Sequence, residues 1–226
     1  MHFPSLSRIH PAARCAVASA LLSVVGLDAA AADAAPPVAS VAADEIVFDR
    51  SQAEWSEAWL QWIAAFARNS SPIADTTGAL CAAKQEGDVW FLATSDGMAP
   101  VVRTCSVPGG KMLFVPIAST TERSGNREPD CDSMARIAAD NITHRVSRLS
   151  MEIDGQAVDN VQSHRIASHE CFALGLRQTP RLTARTTVAD GYYVMLQPLA
   201  AGAHTIVVGA RFDSTTLSTT YHLDVH

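Results

Sequence analysis

Four charged side chains stand where this chain could do chemistry: Asp75, Arg103, Lys111 and Glu122. Arg103 shares a strand face with Val101, Cys105 and Val107, so its guanidinium is desolvated and needs a partner. Asp75, Glu86, Asp88 and Glu122 are the acidic candidates for a structural ion pair; otherwise the arginine anchors an anionic ligand. Lys111 follows Gly109 and Gly110, but G-G-K lacks the rest of a phosphate loop and its strand-to-helix setting. Asp75, Asp96 and Glu122 come from separate segments. Carboxylates that cleave polysaccharides sit about 5–10 Å apart in space and leave no linear motif.

Other chemistries lack their signatures. The chain has no G-x-S-x-G, H-E-x-x-H or G-x-G-x-x-G. His164 and His169 are five apart, on opposite faces of any one strand, and His204 meets His222 only if two strands bring them together. Glu122, Glu128, Asp130 and Asp132 offer oxygens to a calcium ion, with Arg123 and Arg127 competing for them. The expectation is no metal and no cofactor.

The elements that must position these residues are mostly strands. Residues 88–94 form a short apolar run, with Trp90 and Leu92 on one face and Val89 and Phe91 on the other, covered on both sides. Residues 101–107 and 111–117 are joined by Pro108-Gly109-Gly110, which reads as a hairpin. A three-residue loop pairs Cys105 with Leu113 and Arg103 with Val115; a two-residue loop shifts every pair by one. Upstream, Ser51-Gln52-Ala53-Glu54 is a capping box opening a helix to about Arg68. Its Trp55, Trp59, Trp62, Ile63 and Phe66 form one aromatic face, to be packed on a sheet or offered to a sugar ring or lipid.

Residues 118–129 read as a polar loop, and 132–141 as a second helix capped by Asp132 or Ser133, with Met134, Ile137 and Ala138 buried. Leu149, Met151 and Ile153 then alternate with polar residues before an Asp154-Gly155 turn. Further strand runs follow at 163–168, 171–175, 191–199, 204–210 and 217–225. The fold class expected is mainly β: an antiparallel two-sheet sandwich with one or two packing helices, stabilised by disulfides, in a single domain over residues 45–226.

The N-terminus reads as an export signal over residues 1–32, with Arg8 and Arg14 before an apolar run and alanines at its end. That run is shorter than the roughly 20 residues a membrane span needs. Residues 33–44 read as a flexible lead-in. The formal net charge of −6 argues against nucleic acid or an anionic membrane as partner. In an oxidising compartment Cys81, Cys105, Cys131 and Cys171 pair, and three connectivities exist. The pairing Cys81–Cys105 with Cys131–Cys171 is favoured because the first two flank one compact strand unit. There is no C-x-x-C spacing for a metal site.

Several motifs run together here: Trp55, Trp59 and Trp62; D-T-T-G-x-x-C from Asp75 to Cys81; Q-x-G-x-V-W-F-L from Gln85 to Leu92; and R-x-C-x-V-P-x-G-K-x-L-F from Arg103 to Phe114. With D-G-Y-Y-V-M-L-x-P-L-x-x-G-x-H-T-I from Asp190 to Ile206, the chain resembles a family of secreted bacterial proteins. The resemblance implies export and one β-rich fold, and brings no activity with it. The expected function is a periplasmic or secreted, non-catalytic module that binds a surface polysaccharide or a protein partner. The alternatives are a polysaccharide hydrolase or lyase using carboxylates, and a structural periplasmic protein.

Overall fold

The computed structural model describes residues 40–124, 130–168, 170–175 and 185–226. The expected signal segment, most of the lead-in, His169, Arg127 and Glu128 lie outside these residues. Residues 40–44, expected as the end of the lead-in, are joined to the domain. Ser40 bridges Leu196, the Val41 amide donates to the Met195 carbonyl at 2.8 Å, and Val41 is buried.

The described residues form ten strands: β1 (Val89–Phe91), β2 (Val101–Val107), β3 (Met112–Arg123), β4 (Val146–Ile153), β5 (Gln156–Ala157), β6 (Arg165–Ala167), β7 (Phe172–Leu174), β8 (Arg185–Leu196), β9 (Gly202–Phe212) and β10 (Thr215–Val225). The helices are α1 (Gln52–Ala64) and α2 (Cys131–Arg145). The first sheet runs β1-β3-β8-β6, with β7 also on β8; the second runs β2-β10-β9-β4-β5. The protein is mainly β, as its alternating runs require. Each sheet nevertheless carries one parallel pair, β1 with β3 and β2 with β10, so the sandwich is not purely antiparallel.

The alternation of β3 and β8 sets the layers. Leu113, Val115 and Ile117, with Val194 and Leu196, join Cys105, Val107, Ile206, Val208, Tyr221 and Leu223 of the second sheet in one core. Met112, Phe114, Tyr193 and Met195 point the other way and meet α1. β1 divides as its sequence predicts, with Trp90 in the first core and Val89 and Phe91 in the second.

The capping box of α1 is formed: the Glu54 amide donates to Ser51 Oγ at 3.2 Å, and the Ser51 amide to Glu54 Oε2 at 2.8 Å. The helix ends at Ala64, short of Arg68. Its tryptophans are buried on the sheet, so they offer no exposed aromatic platform. Trp59 is 2% exposed, donates to the Leu92 carbonyl at 2.8 Å, and meets Tyr193 edge-on.

Three expectations need correction. Pro108-Gly109-Gly110 is not a hairpin but an arch that carries the chain from the second sheet to the first, so Cys105 and Leu113 enter one core from different sheets rather than pairing side by side. Gly110 takes φ +78°, which glycine allows in either kind of turn, so turn chemistry does not separate them. Residues 118–123 are not loop; they extend β3 against β8, past a register shift between Pro116 and Ala118. In α2 the cap is Asp130, whose carboxylate accepts from the Ser133 amide at 3.1 Å, and the buried residues are Ala138 and Ile142, while Ile137 is half exposed.

Both disulfides join the expected partners, Cys81–Cys105 and Cys131–Cys171, with Cα separations of 5.8 and 5.7 Å. Asp154 and Gly155 both take positive φ and turn β4 into β5. Among the described residues, no helix is long and apolar enough to cross a membrane.

Because Trp59 joins α1 to the first sheet by packing and by a buried hydrogen bond, Trp59→Ala is expected to lower the unfolding free energy by about 3–5 kcal/mol. Trp59→Phe keeps most of the packing and should lose about half of that or less. Chemical denaturation monitored by circular dichroism checks both.

Candidate functional site

Asp75 and Arg103 are brought together by the first motif. The Asp75 carboxylate folds its own turn, accepting from the amides of Thr77 at 2.8 Å, Gly78 at 3.2 Å and Leu80 at 2.8 Å, and from Thr77 Oγ1 at 2.9 Å. Burial acts to raise this carboxyl, but the hydrogen bonds from Leu80 and Thr77 outweigh it and hold the pKa below the ordinary range. A general acid needs the opposite shift. Gly78 takes φ +95°, and a Cβ there would lie 2.3 Å from the Thr104 carbonyl oxygen, so only glycine fits.

Arg103 is 1% exposed and has no carboxylate within ion-pair distance among the described residues. The expected acidic partner is replaced by the backbone. Nε donates to the Asp75 carbonyl at 2.7 Å, Nη2 to Ile73 at 3.1 Å and Thr94 at 3.3 Å, and Nη1 to Ala93, Thr94 and, at 2.7 Å, the Tyr221 hydroxyl. Asp75 thus contributes its main-chain oxygen, its side chain being used in the turn. Tyr221 also bonds both the amide and the carbonyl of Ala93. Burial raises the Tyr221 pKa despite the neighbouring guanidinium, so the phenol stays neutral. The space left beside Arg103, bounded by Trp62, Asp75 and Tyr221, is about 10 Å³, room for a single water at most.

Lys111 and Glu122 are engaged elsewhere. Lys111 Nζ donates to the Gly87 carbonyl at 2.7 Å and pairs with Asp88 at 3.2 Å, joining the start of β3 to that of β1. Glu122 accepts from Asn141 Nδ2 at 3.0 Å and ties β3 to α2. Gln85 acts similarly: its side-chain amide bonds the amide and carbonyl of Phe91, standing in for a strand neighbour at the edge of β1. Asp96 accepts from the Met98 amide in a local turn. Among the described residues no three metal-binding side chains form a cluster.

The sequence motifs did not point to the most unusual surface. Val47 and Arg50 exchange both main-chain hydrogen bonds around Phe48 and Asp49, which take φ +51° and +60°. Such a turn normally uses Asn and Gly, and a bulky residue there is strained. Phe48 is 54% and Ile46 60% exposed. The turn is nonetheless anchored: Val47 is buried, its carbonyl accepts from Trp55 Nε1 at 3.0 Å, and Gln52 bonds the Glu45 carbonyl. Phe-Asp carries no turn signature, which is why the sequence conceals it.

His204 does not meet His222. In register His204 lies opposite Leu223 and His222 opposite Thr205, which puts the two rings on opposite faces of the sheet. His204 Nδ1 instead contacts Asp154 Oδ2 at 2.7 Å and Nε2 the Ala200 carbonyl at 3.0 Å. Two acceptors facing one ring suit the doubly protonated imidazolium.

No family model and no curated protein match the chain. Solved structures similar to it include one described as PbICP-C in complex with falcipain-2, at 11% identity over 62% of this chain and 100% of that chain with a TM-score of 0.27. Another is the solution structure of amebosin, at 10% identity over 55% and 89% of the two chains with a TM-score of 0.19. At these scores neither bears on function.

Burial acts to lower the His204 pKa, but the bonds to Asp154 and Ala200 outweigh it and raise it; Asp154, which burial would raise, is lowered by the same contact. The raised histidine adds stability below about pH 6.5, lost as pH rises through its folded pKa. The lowered carboxyl adds stability above about pH 4, lost as pH falls through its folded pKa. Asp154→Asn is therefore expected to destabilise most between about pH 4 and 6.5, by under about 1 kcal/mol because the pair is partly exposed. The difference from the parent should shrink at alkaline pH. Urea melts across pH measure it.

Proposed function

We propose that this protein is an exported, non-catalytic binding module for a surface polymer or a protein partner, and that the Phe48 turn is its contact point. The single observation behind this reading is a strained aromatic on a hydrogen-bonded turn, left half exposed beside Ile46. A left-handed conformation costs an ordinary residue roughly 1–2 kcal/mol. Strain of this kind gathers at ligand contacts, where geometry serves binding rather than stability. A phenyl ring projected from a fixed turn suits the apolar face of a sugar ring or a shallow apolar pocket. Two disulfides and the charged-then-apolar N-terminus support export, with the periplasm or the exterior as the compartment.

Phe48→Asn separates binding from folding, because Asn accepts the left-handed region. The variant is expected to match or exceed the parent in stability by up to about 1 kcal/mol. It should also lose about tenfold or more in retention on isolated cell-envelope polysaccharide or on surface proteins captured by cross-linking. Retention unchanged in both assays, with the fold intact, sinks this assignment.

A further inference from the structure

A second surface lies where residues 40–44 meet the segment from Asp159 to Arg165. Residues 40–44, the turn at Asp159 and Asn160, and the following 3₁₀ turn border a cleft of about 660 Å³, a volume suited to a small organic ligand. Asp44, Asp159, Asn160, Ser163, His164 and Arg165 line it. His164 sets it apart from an ordinary groove. Its side chain is buried, with the residue only 5% exposed, yet among the described residues no hydrogen bond engages either ring nitrogen. The ring is packed into the wall while its nitrogens stay open to the cleft, where water or a ligand completes them. Burial lowers its pKa, so at neutral pH the ring is uncharged and offers one donor and one acceptor.

The rest of the lining selects the ligand. The Arg165 guanidinium is used within the protein: Nε and Nη2 bond Asp190 at 3.0 and 2.9 Å, Nη1 bonds Thr143 and Nη2 the Ala139 carbonyl. It is therefore not available to hold an anion. Asp44 and Asp159 have no hydrogen-bond or ionic partner among the described residues, so the cleft presents two free carboxylates and no free cation. These two and His164 do not approach closely enough to form a metal cluster. What fits is an organic cation that also carries hydroxyl groups. We propose that this cleft binds an amino sugar, its ammonium between Asp44 and Asp159 and a hydroxyl on the His164 ring. The residues differ from those of the Phe48 turn, and the site stands whatever that turn binds.

The probe is a glucosamine trisaccharide, titrated at neutral pH by calorimetry and by ¹H–¹⁵N NMR of the imidazole rings. Saturable binding is expected, with His164 resonances shifting. His164→Gln and Asp159→Asn should each weaken it about tenfold, the loss of one hydrogen bond to a buried or charged group. The N-acetylated trisaccharide should bind about tenfold more weakly than the amine. Asp159 is exposed, so its variant reports on binding even if His164→Gln disturbs the fold. Spermidine binding as tightly as the aminosaccharide overturns the proposal, since attraction to a negative chain would then suffice. So does binding that leaves the His164 resonances and the Asp159→Asn affinity unchanged.

Discussion

A guanidinium buried without a counter-ion has to be solvated by something, and in this protein the chain itself does it. Arg103 takes four main-chain carbonyls and one phenol, drawn from residues 73–75, 93–94 and β10. The positive charge thus gathers three segments far apart in sequence. Ala93 also accepts from Tyr221, whereas the part-buried carbonyls of Ile73, Asp75 and Thr94 take the guanidinium, and a fully buried carbonyl left without a donor costs about 1–3 kcal/mol. Lysine has three donors on a flexible stem and cannot span the same set.

Three consecutive residues of β2 fasten the loop that precedes β1. Arg103 bonds Asp75, the Thr104 amide donates to Thr77 at 2.9 Å, and Cys105 is bonded to Cys81. The alternation of the strand makes this possible: Arg103 and Cys105 point into the core while the amide between them faces the open edge. That edge is where the sheet would otherwise offer unpaired groups to another chain. The loop then delivers Gln85 to the edge of β1, and Lys111 closes the other end. The D-T-T-G, Q-x-G, R-x-C and G-G-K motifs therefore all have structural work within one fastening.

Periodicity carried most of the fold. The two-sided burial of β1, the capping box and buried face of α1 and the Asp154-Gly155 turn follow from spacing and turn chemistry, and the disulfide pairing is the favoured one of three. The sheet order did not, because an arch and a hairpin use the same Pro-Gly-Gly residues, and only the long-range pairing of β2 with β10 distinguishes them. The acidic partner expected for Arg103 failed for a related reason. Main-chain oxygens carry no letter in a sequence, so a site built from carbonyls is invisible there. The Phe48 turn and the His164 cleft were hidden likewise: one breaks turn preference, and the other is assembled from segments far apart in sequence.

The claim on which the rest depends is that Arg103 holds the loop and both sheets together rather than waiting for a ligand. Native-state hydrogen exchange on Arg103→Met, a neutral side chain of similar length, tests it without any ligand present. The account predicts a loss of global stability of about 3 kcal/mol or more. It also predicts faster exchange at the amides of Leu80, Ala93 and Thr104, which bond Asp75, Tyr221 and Thr77. Parental stability with those three amides still protected would contradict it.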